Sequence, residues 1–346
     1  MEVAPNLYEI AYSPRHDTLY VASAGVWEAD TPPSRIIRLD PRTLASRGEI
    51  VLERKGFGLL LDDANERLYV GHTTTGAVSI INTGENSIIG TVQLAEPTAN
   101  AEGKPKFVHN FREIRIDHTH NRLFAPGLGA EDSALYVADL ATMRVEKGIP
   151  GLGFVATGIA IDEEAGRVYV ANLAGKLFVF DTGTLELLHT WTPGVDQMLN
   201  LALSPSRPLA LTPDGRYLYA VDEGLAGIDK MRAAQQPDFQ SAGAGNRVAV
   251  IDTATGALVS SMVTGEGPVV PLLDADARLL YVNNRVSGSL SVLDVASGAA
   301  VQTLPLPAHP NSMALDAAGN RLFVTVKNGE GAAPGANEAV VRTDLP

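Results

Sequence analysis

Apolar and polar positions along the 346-residue chain repeat one pattern seven times. Each repeat is marked by an apolar triplet: Leu19-Tyr20-Val21, Leu68-Tyr69-Val70, Leu123-Phe124-Ala125, Val168-Tyr169-Val170, Leu218-Tyr219-Ala220, Leu280-Tyr281-Val282 and Leu322-Phe323-Val324. A polar turn precedes the triplet, as in Asp62 to Arg67 or Asp316 to Arg321, and an earlier apolar run precedes the turn, as in Met313-Ala314-Leu315. A third run follows and often ends in Asp, as in Ile36 to Asp40, Leu177 to Asp181 and Leu290 to Asp294; a fourth, β-branched run follows that. Runs of this length, rich in Val, Ile and Tyr and bounded by turn residues, read as strands. Four strands per unit at a spacing of 42 to 62 residues is the signature of propeller blades. Apolar positions at helical spacing over longer windows are not seen.

The predicted fold is therefore all-β: a seven-bladed β-propeller of four-stranded antiparallel blades, forming a single domain over residues 1–346. The last unit stops after its third strand near Pro346, so its outer strand is expected from Glu2 to Asn6 at the N-terminus. The acids in the turns read as side chains that hold hairpins through local hydrogen bonds. Residues 224–245 read as an insertion in the fifth blade, with a short helix expected over Ile228 to Gln236 before Pro237. Two readings of the insertion stand: a lid over a ligand site, or a lineage-specific loop.

Composition narrows the picture. Hydrophobic residues make up 45% of the chain, ample for a large core, yet no apolar run approaches the roughly 20 residues of a membrane helix. There is no cysteine, which removes disulfides, zinc–thiolate sites and thiol nucleophiles. Residues 1–10, MEVAPNLYEI, lack the basic and apolar segments of a signal peptide. A formal net charge of −13 opposes bulk attraction to nucleic acid or anionic membrane but leaves room for a local basic patch.

The triplets, the Leu-Asp strand ends and the segments YEIAYSPRHDTLYVAS, IIRLDPRTL, NFREIRID, AHPNSMALD and LFVTVKN resemble the YncE-like branch of the YVTN-type seven-bladed propellers, over nearly the whole chain. The resemblance implies a periplasmic binding protein, linked to iron-limited growth and able to hold single-stranded DNA. The acidic balance and the insertion depart from the family.

In a propeller, the loops from the second to the third strand, and from the fourth to the next first strand, gather at one mouth, where ligands bind. The repeat register puts Trp27, Phe57, Arg112, Glu113, Arg285, His309, Asn311 and Lys327 in those loops. Cations beside exposed aromatics suit a single nucleic-acid strand or a small anion; a protein partner is a third expectation. No cofactor is expected. His72, His109 and His309 with Glu113 are weighed as metal ligands and set aside, because they lack short ligand spacing. His16, His118 and His120 fall on the opposite face. The pattern favours a binding platform over an enzyme; the alternatives are a lactonase- or lyase-type enzyme using His309, Glu113 and Arg112, or a protein-interaction scaffold. No nucleophile elbow or nucleotide-binding loop is present.

Overall fold

The computed structural model describes residues 1–27, 33–99, 102–103, 105–204, 216–224, 243, 245–274 and 276–345. Among them there is no helix: every regular element is a strand. The strands assemble into seven blades of four antiparallel strands, as the repeat predicts. The expected helix at 228–236 lies outside the described residues, as does most of the insertion.

The chain divides into two compact units, residues 1–153 with 311–346, and residues 154–310. The first unit holds blades one (Leu7–Ser13, Thr18–Ser23, Arg35–Leu39, Ser46–Val51), two (Gly56–Asp62, Arg67–His72, Ala77–Asn82, Ser87–Gln93), three and seven. The second holds blades four (Ala156–Asp162, Arg167–Asn172, Leu177–Asp181, Leu187–Trp191), five (Leu201–Leu203, Tyr217–Asp222, Arg247–Asp252, Leu258–Val263) and six (Pro268–Asp274, Leu279–Asn284, Ser289–Asp294, Ala300–Pro305).

Alternation places the aromatic of every triplet on the second strand, where Tyr20, Tyr69, Phe124, Tyr169, Tyr219, Tyr281 and Phe323 are all buried. The third strand of blades one to six ends in an acid or amide whose side chain accepts backbone N–H bonds from the turn. Asp40 takes those of Arg42 and Thr43 at 2.9 and 2.8 Å, and Asp181 those of Gly183 and Thr184 at 3.0 and 2.9 Å. These bonds hold the Asp40 and Asp181 carboxyls below the usual carboxylate range, the backbone N–H of Thr43 and of Thr184 being the first cause in each.

Blade seven is completed by the N-terminus. Its last C-terminal strand, Glu338–Asp344, pairs with Glu2–Ala4 in the register Glu2 with Ala339 and Ala4 with Glu338. Blade three departs from the simple repeat. Its innermost strand is broken into Asn110–Phe111 and Arg115–Asp117, both paired to Arg122–Leu128. The break carries Arg112 and Glu113.

Candidate functional site

The site in the first unit is built on the innermost strands. In Leu7–Ser13 the pleat sends alternate residues to opposite faces, so Leu7 is buried in the core while Tyr8 stands half-exposed. In the second blade Gly56 and Gly58 flank Phe57. Gly58 is obligatory: a Cβ there would stand 1.6 Å from the Arg112 carbonyl oxygen. The close approach of these two backbones brings Arg112 over Phe57.

The result is a stacked pair of rings with a cation against each. The Tyr8 and Phe57 rings lie 3.6 Å apart at 29°. Lys327 Nζ sits 4.0 Å from the Tyr8 ring centre on one side of the pair, and Arg112 Cζ 5.0 Å from the Phe57 ring centre. Trp27 meets Tyr8 edge-on at 6.4 Å, with Lys55 Nζ 6.0 Å from the indole. Each such cation–ring pair contributes about 0.5–1 kcal/mol when exposed and more when dry. Trp27 is 41% exposed and walls a cleft of about 310 Å³, whose other side is the loop Ala332 to Ala336.

Carboxylates back the cations. Lys327 Nζ donates to Glu338 Oε2 at 2.9 Å and to the Leu7 carbonyl at 2.8 Å. Glu338 Oε2 also accepts the Leu7 N–H, at 2.6 Å. Arg112 Nε lies 3.8 Å from Glu9 Oε1, is buried, and finds no hydrogen-bond partner among the described residues. Glu9 Oε2 accepts the Leu59 N–H at 2.6 Å. Burial first, and then the adjoining Glu113 carboxylate, push the Glu9 carboxyl well above the ordinary range. A hydrogen bond from the Glu9 carboxyl to Glu113 adds to the same direction. Three cations (Lys55, Arg112 and Lys327) thus share this cluster with the carboxyl groups of Glu9, Glu113 and Glu338. Burial likewise raises the Tyr8 phenol.

Of the residues expected from sequence, the structure brings Trp27, Phe57, Arg112, Glu113 and Lys327 into this cluster. Asn311 joins it through its Nδ2, which donates to the Tyr8 carbonyl at 3.4 Å. Arg285 and His309 belong to the second unit, where the His309 N–H donates to the Arg285 carbonyl at 3.1 Å. The sequence reading missed Tyr8, Glu9 and Glu338. Glu9 had a signal: an acid inside an otherwise apolar innermost strand, LYEIAYS.

The histidines weighed as metal ligands are engaged elsewhere. His72 is buried with Nε2 2.7 Å from Ser79 Oγ, and burial pulls its pKa down to about 4, so the ring is neutral. His109 bonds the Tyr136 hydroxyl at 2.9 Å and the Asp132 carbonyl at 3.1 Å. Among the described residues no group of three or more His, Asp or Glu is placed to hold a metal.

No family model matches the chain. Over 325 residues, 94% of this chain and 84% of the relative, it is 28% identical to the uncharacterized protein YncE of Salmonella typhimurium strain LT2. Over the same share of both chains it is 29% identical to the uncharacterized protein YncE of Escherichia coli K12. Among solved structures, a chain of Kuenenia stuttgartiensis hydrazine synthase superposes over 100% of this chain and 98% of that one, with a TM-score of 0.69 and 13% identity, a likeness of fold alone. The chain is a seven-bladed β-propeller whose homologues are the YncE proteins.

Proposed function

We propose that this propeller is a binding protein whose first unit holds an anionic ligand at the ring–cation stack. The observation that carries the reading is Arg112. Its Nε is buried without a hydrogen-bond partner among the described residues, its guanidinium lies over Phe57, and burial raises the pKa of its nearest carboxyl, Glu9, well above the ordinary range. A guanidinium so placed keeps its positive charge for a ligand at the ring. The exposed indole of Trp27 beside Lys55 supplies a surface on which a planar group stacks. Short single-stranded nucleic acid meets both requirements, and a small polycarboxylate meets the first. The resemblance to periplasmic propellers, together with the absence of cysteine, supports an extracytoplasmic setting.

The test is a titration of a short single-stranded oligonucleotide and, separately, of citrate. Wild type is compared with the double variant Arg112→Ala/Lys327→Ala at low and moderate salt. Exposed charges screen over about 10 Å at 0.1 M ionic strength, so binding should weaken as salt rises and fall further in the double variant. Absence of binding to either probe at low salt refutes the reading, and equal binding by both proteins moves the site. A second reading, an enzyme using Glu113 and Arg112, draws on the hydrogen-bonded pair of Glu9 and Glu113 beside Arg112; turnover of simple lactones, abolished by Glu113→Gln, would establish it.

A further inference from the structure

A groove of about 600 Å³ lies between the fourth and fifth blades, within the second unit. One wall carries Tyr169, His189 and Trp191, and its polar end carries Arg167, Arg216 and Asp162.

Strand register shows that the rings are peculiar to this blade. Blades one to six share a bulge between the third and fourth strands, and counting from it aligns their outer strands. Trp191 pairs with Leu177, and His189 with Val179. At the position of Trp191 the other five blades carry Ile50, Val92, Ile149, Met262 and Leu304. At the position of His189 they carry Gly48, Gly90, Lys147, Ser260 and Gln302.

The neighbouring blade is adapted to the indole. Gly256, in the fifth-blade turn, has φ 73°; the same left-handed turn position holds Leu44, Asn86, Met143 and Leu185 in the first four blades. A Cβ on Gly256 would stand 2.2 Å from both Cγ and Cδ2 of Trp191. The indole thus lies flat across the Gly256 backbone. Between the second and third blades the sizes are reversed: Met143 Cε would meet a Cβ on Gly90 at 2.6 Å. An aliphatic side chain satisfies the packing in the other blades. Here two rings do so instead, the exposed His189 imidazole lying 5.3 Å from the indole and 13° from parallel. Together they form an aromatic strip half open to solvent.

The polar end carries more carboxylates than cations. Arg167 donates to Asp181 at 2.8 Å, and Arg216 pairs with both Asp162 and Glu164. Two guanidiniums against three carboxylates leave no positive charge to draw an anion. Flat carbon faces of a sugar pack on aromatic rings, and vicinal hydroxyls match the paired donors and acceptors of guanidinium and carboxylate groups. We infer that this groove binds a neutral oligosaccharide, one pyranose on the Trp191–His189 strip with its hydroxyls toward Arg167 and Arg216.

The chain has two tryptophans, so Trp27→Phe leaves Trp191 as the only indole reporter. Its emission is followed while titrating the β-1,4-linked tetramer of N-acetylglucosamine and, separately, maltotetraose. The expected result is a saturable change with at least one sugar, insensitive to salt. Calorimetric affinity should fall roughly tenfold on Trp191→Leu, which restores the aliphatic type of the other blades, and severalfold on His189→Ala. His189 is exposed, so its variant remains informative if Trp191→Leu does not fold. No change with either sugar up to their solubility, affinity unaltered in the variants, or binding that collapses with salt overturns the inference.

Discussion

Glu9→Gln isolates the energetic consequence of the buried carboxyl. In the unfolded chain Glu9 ionises near the ordinary glutamate pKa of about 4.3. In the folded protein burial and Glu113 hold it protonated to well above that value. Folding therefore takes up about one proton at this pair whenever the pH lies between the two values, and each pH unit in that window costs about 1.4 kcal/mol of stability. The contribution of Glu9 is fully present below the unfolded pKa and is lost as pH rises through the window. Glutamine keeps the oxygen that accepts the Leu59 N–H and can donate toward Glu113, but it takes up no proton. The difference in unfolding free energy between Glu9→Gln and wild type should therefore climb in the variant's favour by about 1.4 kcal/mol per pH unit, starting near pH 5. Urea unfolding followed by circular dichroism at several pH values from about 5 to about 7 reads this slope directly, and comparing the two proteins cancels every other titrating group. Parallel stability–pH curves for the two proteins would refute a protonated Glu9.

Two further outcomes test the fold around the site. Removing residues 1–6 deletes the outer strand of blade seven, including the reciprocal bonds between Met1 and Val340 at 2.9 Å; those two bonds alone cost about 1–3 kcal/mol, and the bared edge should promote self-association visible by size-exclusion chromatography. Gly58→Ala drives a methyl into the Arg112 carbonyl and should lower stability by about 1–3 kcal/mol while weakening anion binding, read by thermal melting and by the oligonucleotide titration.

Much of the blade architecture was legible because its determinants are local. Alternation within a few residues put Tyr20, Tyr169 and Phe323 on buried second strands, and the Asp or Asn at the end of the third strand in blades one to six announced the turn it closes. The missing fourth strand of the last repeat pointed to the N-terminus, since a sheet must pair its polar backbone edge somewhere. Loop membership likewise named Trp27, Arg112 and Lys327, whereas Phe57, expected in a loop, lies inside the strand Gly56–Asp62. Their assembly as ring on ring with a cation against each was not legible, because it depends on backbones from different blades approaching as closely as Gly58 and Arg112 do.

What the sequence by itself determined, then, was the strand order, the sevenfold count and the pool of polar side chains. Tertiary structure alone decided their chemistry. Glu9 is an ordinary acid in the chain and one with a strongly raised pKa in the fold, because desolvation and the Glu113 charge are properties of its surroundings. Trp191 is one more residue of an outer strand until Gly256, sixty-five positions away, lets the indole lie flat. Periodicity is written in neighbours along the chain, whereas charge state and aromatic placement are set by neighbours in space.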